Sequence, residues 1–229
     1  MGRTRSTSRT PSDRAPRLRL VTDPSGGGVP GETGPTAVCL ASDPAALVDG
    51  LLSGDPEAGN ALYDAFGDRV NRLVWRLLGA DRDHDDVVQQ VFIAILESVV
   101  RLRSPEALEA WITRITVNTV RKEIRRRQRR RLWIVSGEPP EVAGQGLDSD
   151  ERLVLQHFYR VLESMRVDDR VVFTLRFVES YTLPEIAAAC DCSLATVKRR
   201  LSRARQRFEA RARADFVLAS ALGGTGDGA

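Results

Sequence analysis

The densest chemistry in the chain lies between Thr182 and Phe208, in TLPEIAAACDCSLATVKRRLSRARQRF. Thr182 and Glu185 stand at capping-box spacing with Pro184 in the first turn, and Ser193 starts a second helix after a short turn around Asp191. Ile186, Ala187, Cys190, Val197, Leu201 and Phe208 recur at spacings that hold two such helices together, leaving Thr196, Arg199, Ser202 and Arg203 on the far face of the second. That is a helix-turn-helix plan, with its second helix offered to a major groove. Arg199 and Arg203 carry the planar fork that suits guanine edges, while Arg200, Arg205 and Arg207 are better placed for phosphates. The competing reading is a charged solvent face, yet eight bases against one acid between Lys198 and Arg213 exceed what solubility requires.

A second basic concentration lies upstream. Leu108, Trp111, Ile112 and Ile115 form a core stripe, whereas Arg114, Asn118, Arg121 and Arg125 share a polar stripe of the same helix. Its continuation, RKEIRRRQRRR, holds eight bases and one acid, which suits a nucleic-acid backbone, with Asn118 able to bond a base. A plain solvated helix end is the alternative. A third helix, DDVVQQVFIAILES, turns Val87, Val88, Val91, Phe92, Ile95 and Val99 to a core and leaves Asp86, Gln89, Gln90 and Ile93 as another ridge, mostly polar. Such a ridge suits a protein partner, or is an ordinary amphipathic surface.

The elements that must position these residues are helical. Asp43-Pro44, Asp55-Pro56 and Ser104-Pro105 each place a capping residue before a proline, and helices are expected near 44–53, 56–78 with a break around Gly67, 84–102 and 105–131. A second set is expected near 151–165, 168–178, 183–190 and 194–213, and nothing shows the sustained alternation of a sheet. The expected fold is therefore all-α, two small helical domains joined by a flexible linker, the second containing the helix-turn-helix. The reading divides the chain into a disordered basic tail (1–42), a first domain (43–135), a linker (136–150) rich in Gly, Pro and acids, a second domain (151–213) and a C-terminal tail (214–229).

Composition narrows the function classes. With 34 basic and 31 acidic residues among 229, the net charge of +3 creates no strong global field, so local clusters matter. Cys39, Cys190 and Cys192 are too few for a disulfide framework and fit a reducing compartment. No apolar run reaches the length of a membrane span and no secretory signal stands at the N-terminus, so a cytoplasmic location and no membrane insertion are expected. The cluster Asp81, Asp83, His84, Asp85 and Asp86 is read as a helix start whose acids complement the dipole and cap free amides, rather than as a metal site. Cys190 reads as a small buried hydrophobe. No nucleophile and base motif or phosphate-cradling loop stands out, so no enzyme, catalytic residue, metal or cofactor is expected.

In their order and spacing, DDVVQQVFIAILES, AWITRITVNTVRKEI and VVFTLRFVESYTLPEIAAACDCSLATVKRRLSRAR resemble the extracytoplasmic-function (ECF) class of bacterial RNA polymerase sigma factors, over about residues 43–212. The resemblance implies a transcription initiation factor that binds core RNA polymerase, directs it to promoters and helps open the DNA. By it, Asp86, Gln89, Gln90 and Ile93 would dock on the clamp helices of the largest polymerase subunit, and the polymerase flap is a further implied contact. Arg103, Ser104, Trp111, Arg114, Asn118 and Lys122 would open and hold the downstream (minus ten) element. Thr196, Lys198, Arg199, Ser202 and Arg203 would read the upstream (minus thirty-five) element. An anti-sigma factor is a further implied partner. The chain departs from the family's Phe-Arg-Gly type loop, reading Leu102-Arg103-Ser104-Pro105. A stand-alone regulator that binds an operator as a dimer through its helix-turn-helix is the alternative.

Overall fold

The computed structural model describes residues 43–79, 83–133 and 148–223. The expected tail 1–42 with Cys39, Asp81, most of the expected linker and the Gly-rich end lie outside the described residues. Every regular element among the described residues is helical.

Helix α1 (Pro44–Ser53) opens where Asp43 accepts from the Ala45 amide at 2.9 Å and closes at Gly54, whose φ of 76° needs no Cβ. Helix α2 (Pro56–Leu78) starts the same way, with Asp55 accepting from Glu57 at 3.0 Å. The expected break at Gly67 does not occur. Leu62, Val70, Leu73, Val74 and Leu77 bury on both sides of it, and their packing outweighs the roughly 1 kcal/mol helix penalty of one glycine. Helices α1 and α2 cross closely at Gly50, where a Cβ would lie 2.7 Å from that of Ala58.

Helix α3 (His84–Ser98) stops four residues short of expectation and tightens into a 3-10 turn, Val99–Arg101. Asp85 and Asp86 stand in its first turn as expected, but Asp83 makes no capping bond and instead reaches Arg127 at 3.7 Å. A second 3-10 turn, Pro105–Ala107, leads into helix α4 (Leu108–Trp133). Helix α5 (Ser149–Glu163) begins inside the stretch read as linker, because Asp148 caps the Glu151 amide at 2.7 Å. Helices α6 (Val167–Phe177), α7 (Leu183–Cys190) and α8 (Leu194–Ala214) follow near their expected positions.

A final helix, α9 (Phe216–Gly223), occupies part of the expected C-terminal tail. Its sequence is too short and uniformly apolar to announce a helix, and tertiary contact makes it one: Leu218 is buried, and Asp215 pairs with His157 Nδ1 at 2.6 Å.

Two apolar cores hold these helices, and neither respects the expected division at the linker. The larger joins Leu62, Val74, Leu77, Ile95, Ile112 and Val120 to Val171, Leu175, Ile186 and Val197. The smaller gathers Phe158, Tyr159, Phe173, Phe208 and Leu218, with Trp75 of α2 packed on it. Helix α4 lies against both α6 and α7.

Candidate nucleic-acid interface

The helix-turn-helix is assembled as its residue types dictate. Thr182 accepts from the Glu185 amide at 3.4 Å while Glu185 accepts from the Thr182 amide at 2.7 Å, so both halves of the capping box are closed. Those bonds hold the Glu185 carboxyl below its usual range. The turn needs a left-handed residue, supplied by Asp191 at φ 52°, a conformation that Asp and Asn tolerate better than most. Cys192 then donates to Ala187 at 3.0 Å, and Ser193 accepts from the Thr196 amide at 3.2 Å to start α8. Ile186, Cys190 and Val197 are buried between the two helices.

Of the expected reading residues on α8, Lys198, Arg199 and Ser202 are exposed. Thr196 is half-buried, its hydroxyl engaged with Ser193 at 3.0 Å. Arg203 is held by Asp169, at 2.8 Å and 3.3 Å through two nitrogens. Arg200 reaches Asp168 at 3.3 Å. These two acids stand in the first turn of α6, some thirty residues earlier, and no local spacing could have paired them with α8.

The basic helix α4 divides between core and surface. Trp111 and Ile115 pack half-buried against the larger core, Thr116 is buried with its hydroxyl on the Ile112 carbonyl at 2.9 Å, and Lys122 is exposed. Before it, Arg103 is exposed and Ser104 donates to Glu106. Not all of the cationic run is surface. Glu123, 5% exposed, draws in Arg126 at 2.6 Å and Arg127 at 2.7 Å, so two of its arginines neutralise a buried acid.

The stripe Arg114, Asn118, Arg121 and Arg125 faces the second half of the molecule. Arg114 pairs with Asp191 at 2.8 Å, and both Arg121 and Arg125 pair with Asp168. Arg121 also donates to the Cys190 carbonyl at 3.2 Å and to Asn118 at 3.4 Å. Burial works against the ionised form of Asp168, but the hydrogen bond from Arg121 and the charges of Arg121, Arg200 and Arg125 outweigh it and hold the carboxyl below its ordinary range.

On α3, Asp86, Gln89, Gln90 and Ile93 are all exposed along one face. The face continues through Leu96 and Val100, with the Tyr63 ring of α2 tilted against Phe92 at 5.0 Å beside it. Leu96 and Val100 follow Ile93 at the same three-and-four spacing, a signal present in the sequence beyond the four ridge residues. An aliphatic strip of this extent on a helix is larger than isolated exposed side chains require.

The comparisons with known proteins bear on this arrangement. Residues 62–130 match the Sigma-70 region 2 family and residues 155–208 the Sigma-70 region 4 family. The ECF RNA polymerase sigma-E factor of Escherichia coli strain K12 is 32% identical over 174 residues, covering 71% of this chain and 91% of that protein. This chain belongs to the ECF sigma factors. The ECF RNA polymerase sigma factor SigE of Mycolicibacterium smegmatis is 29% identical over 183 residues, covering 70% of each protein. Among solved structures, CnrH in complex with the cytosolic domain of CnrY matches with a TM-score of 0.52 and 26% identity, covering 74% of this chain and 96% of that one. In this ECF sigma factor the region 2 match spans α2 to α4 and the region 4 match spans α5 to α8. The all-α fold is that of a sigma factor, and the dimeric operator-binding alternative is not favoured, since a region 2 match has no place in it.

Proposed function

We propose that this sigma factor holds core RNA polymerase through the α3 ridge and contacts promoter DNA at two places, with α4 and the loop before it at the downstream element and α8 at the upstream element. As a sigma factor it is a transcription initiation factor that acts with core RNA polymerase on promoter DNA. The ridge carries Asp86, Gln89, Gln90 and Ile93, extended by Leu96 and Val100, onto the clamp helices of the largest subunit, and region 4 meets the flap. Arg103, Ser104, Trp111, Arg114, Asn118 and Lys122 serve the opened strand, where a cationic track and a pocket for a flipped base repay its unstacking. Thr196, Lys198, Arg199, Ser202 and Arg203 serve the upstream duplex. The observation that carries this reading is the coexistence, on one chain, of an exposed part-aliphatic ridge on α3 with two basic helices of different halves.

No helix among the described residues is long and apolar enough to cross a membrane, and we place the protein in the cytoplasm, where its polymerase works, with a binding rather than a catalytic role. CnrH was solved with the cytosolic domain of CnrY, and a protein partner of comparable kind, the anti-sigma factor implied by the resemblance, belongs to the same proposal.

In vitro transcription by core polymerase over a genomic promoter library is the test. Initiation at a defined promoter class is expected, and absence of both core binding and initiation overturns the reading. Within it, Arg199→Ala is the cleanest probe of upstream recognition. It is exposed, so its loss should cost about 1–3 kcal/mol per true base contact and leave core binding intact. Arg203→Ala would also strand the buried Asp169 carboxylate and confuse recognition with folding.

A further inference from the structure

We infer that Asp169 is a positioning residue for promoter reading: it holds the Arg203 guanidinium from beneath, so that the outer edge of the fork stands ready for a guanine of the upstream element. The inference deepens the proposed function and rests on its assignment of α8 to the upstream duplex.

Asp169 stands in the first turn of α6, where an acid complements the helix dipole, and α6 packs along α8. At 6% exposure its carboxylate needs a cation in contact with it. Arg203, 34 residues later, supplies one: Nε donates to Oδ2 at 3.3 Å and Nη2 to Oδ1 at 2.8 Å. This pairing takes the inner side of the guanidinium and leaves its end, with one N–H on each terminal nitrogen, unused among the described residues. Two parallel donors of that kind are what the N7 and O6 edge of a guanine accepts.

Where the acid lies decides between holding the arginine and hiding it. The Asp169 side chain is 8% exposed and that of Arg203 48%, so the carboxylate lies below the guanidinium and the free end faces outward, on the side of α8 that carries exposed Arg199 and Ser202. Arg200 makes the contrast. It too is paired with an acid, Asp168, but is itself 17% exposed, and its fork is spent inside. An exposed arginine without such an acid, as Arg199 is, gives up rotamer freedom when it binds and can turn to a phosphate instead of a base. Arg203 has given up that freedom on folding, so its contact sharpens the choice among bases more than it raises affinity for DNA in general.

The test is in vitro transcription by core polymerase with the full-length chain, on promoters carrying each base at each position of the upstream element. Arg203→Lys, which keeps the charge over Asp169 but not the fork, locates the base pair that Arg203 serves. Asp169→Asn keeps side-chain volume and should lower the preference for guanine at that same base pair by at least about threefold, with the preferences at the other positions kept. Added to Arg203→Lys, it should lower that preference no further, because no fork is left to position. In the unaltered protein the Arg203 Nε–H should exchange with water more slowly than that of exposed Arg199, a check by nuclear magnetic resonance that needs no variant. Equal exchange at the two arginines overturns the hold. Loss of core binding in Asp169→Asn, a loss spread evenly over all positions, or a profile that Arg203→Lys changes and Asp169→Asn does not, overturns the inference and leaves α8 as the upstream reader. A profile that neither Arg203→Lys nor Arg199→Ala changes at any position overturns the assignment of α8 itself, and the inference with it.

Discussion

Asp168 shows how one side chain can serve two opposed tendencies. Partial burial disfavours its charge, while Arg121, Arg200 and Arg125 favour it more, so its pKa lies below the ordinary value near 4. The sign follows from linkage. A depressed carboxylate contributes to the folded form above its unfolded pKa and loses that contribution as pH falls through the lowered one. The groups facing it are Arg121 and Arg125 from α4, Arg200 from α8 and the Cys190 thiol from α7. Its contribution to stability, measured by urea unfolding, should therefore be flat from about pH 5 to 8 and decline only below about pH 4, and Asp168→Asn should abolish that part of the acid step. Cysteine chemistry gives a second residue-scale prediction. Burial pushes the Cys190 thiol up to about 11, so it is protonated at neutral pH, whereas Cys192 is half-buried. Alkylation mapped by mass spectrometry should modify Cys192 well before Cys190, and equal rates would show that α7 opens readily.

At the scale of elements, capping chemistry and period carried most of the reading. Prolines after Asp43 and Asp55, and the Thr182 and Glu185 box, mark starts that the structure places as expected. Two departures share one cause: Gly67 does not break α2 and Phe216–Gly223 is helical, because packing overrode local preference in both. The α3 ridge is the element on which polymerase docking depends. Gln90→Ala with Ile93→Ala removes exposed side chains, so the unfolding midpoint should move little while association with core polymerase weakens. Adding Leu96→Ala and Val100→Ala should deepen the loss if the aliphatic strip is part of the contact. Undiminished binding in the quadruple variant, measured by polymerase pull-down or fluorescence anisotropy, would remove the ridge from the mechanism.

Across the whole molecule the decisive contact is the one between the halves. Gly79 sits at its apolar end with φ of 78°, and a Cβ there would lie 2.9 Å from the Tyr159 ring. Gly79→Ala should therefore combine backbone strain with displacement of Tyr159 and cost about 1–3 kcal/mol in urea unfolding. A variant as stable as the wild type would mean that Tyr159 leaves Gly79 freely. Since Trp75 lies on the second-half aromatic core, denaturation followed by tryptophan fluorescence should report both halves together.

Most of the helices, the helix-turn-helix and the three candidate surfaces were legible from local pattern, because caps, periodicity and arginine clusters act over a few residues. Which parts of those surfaces stay free depends on how the cores pack. Asp168, Asp169 and Asp191 lie between 32 and 77 residues from cations they neutralise, and Arg170 caps a helix end at a carbonyl 93 residues earlier. Pairing across such separations is set by how the cores pack, and no local pattern encodes it.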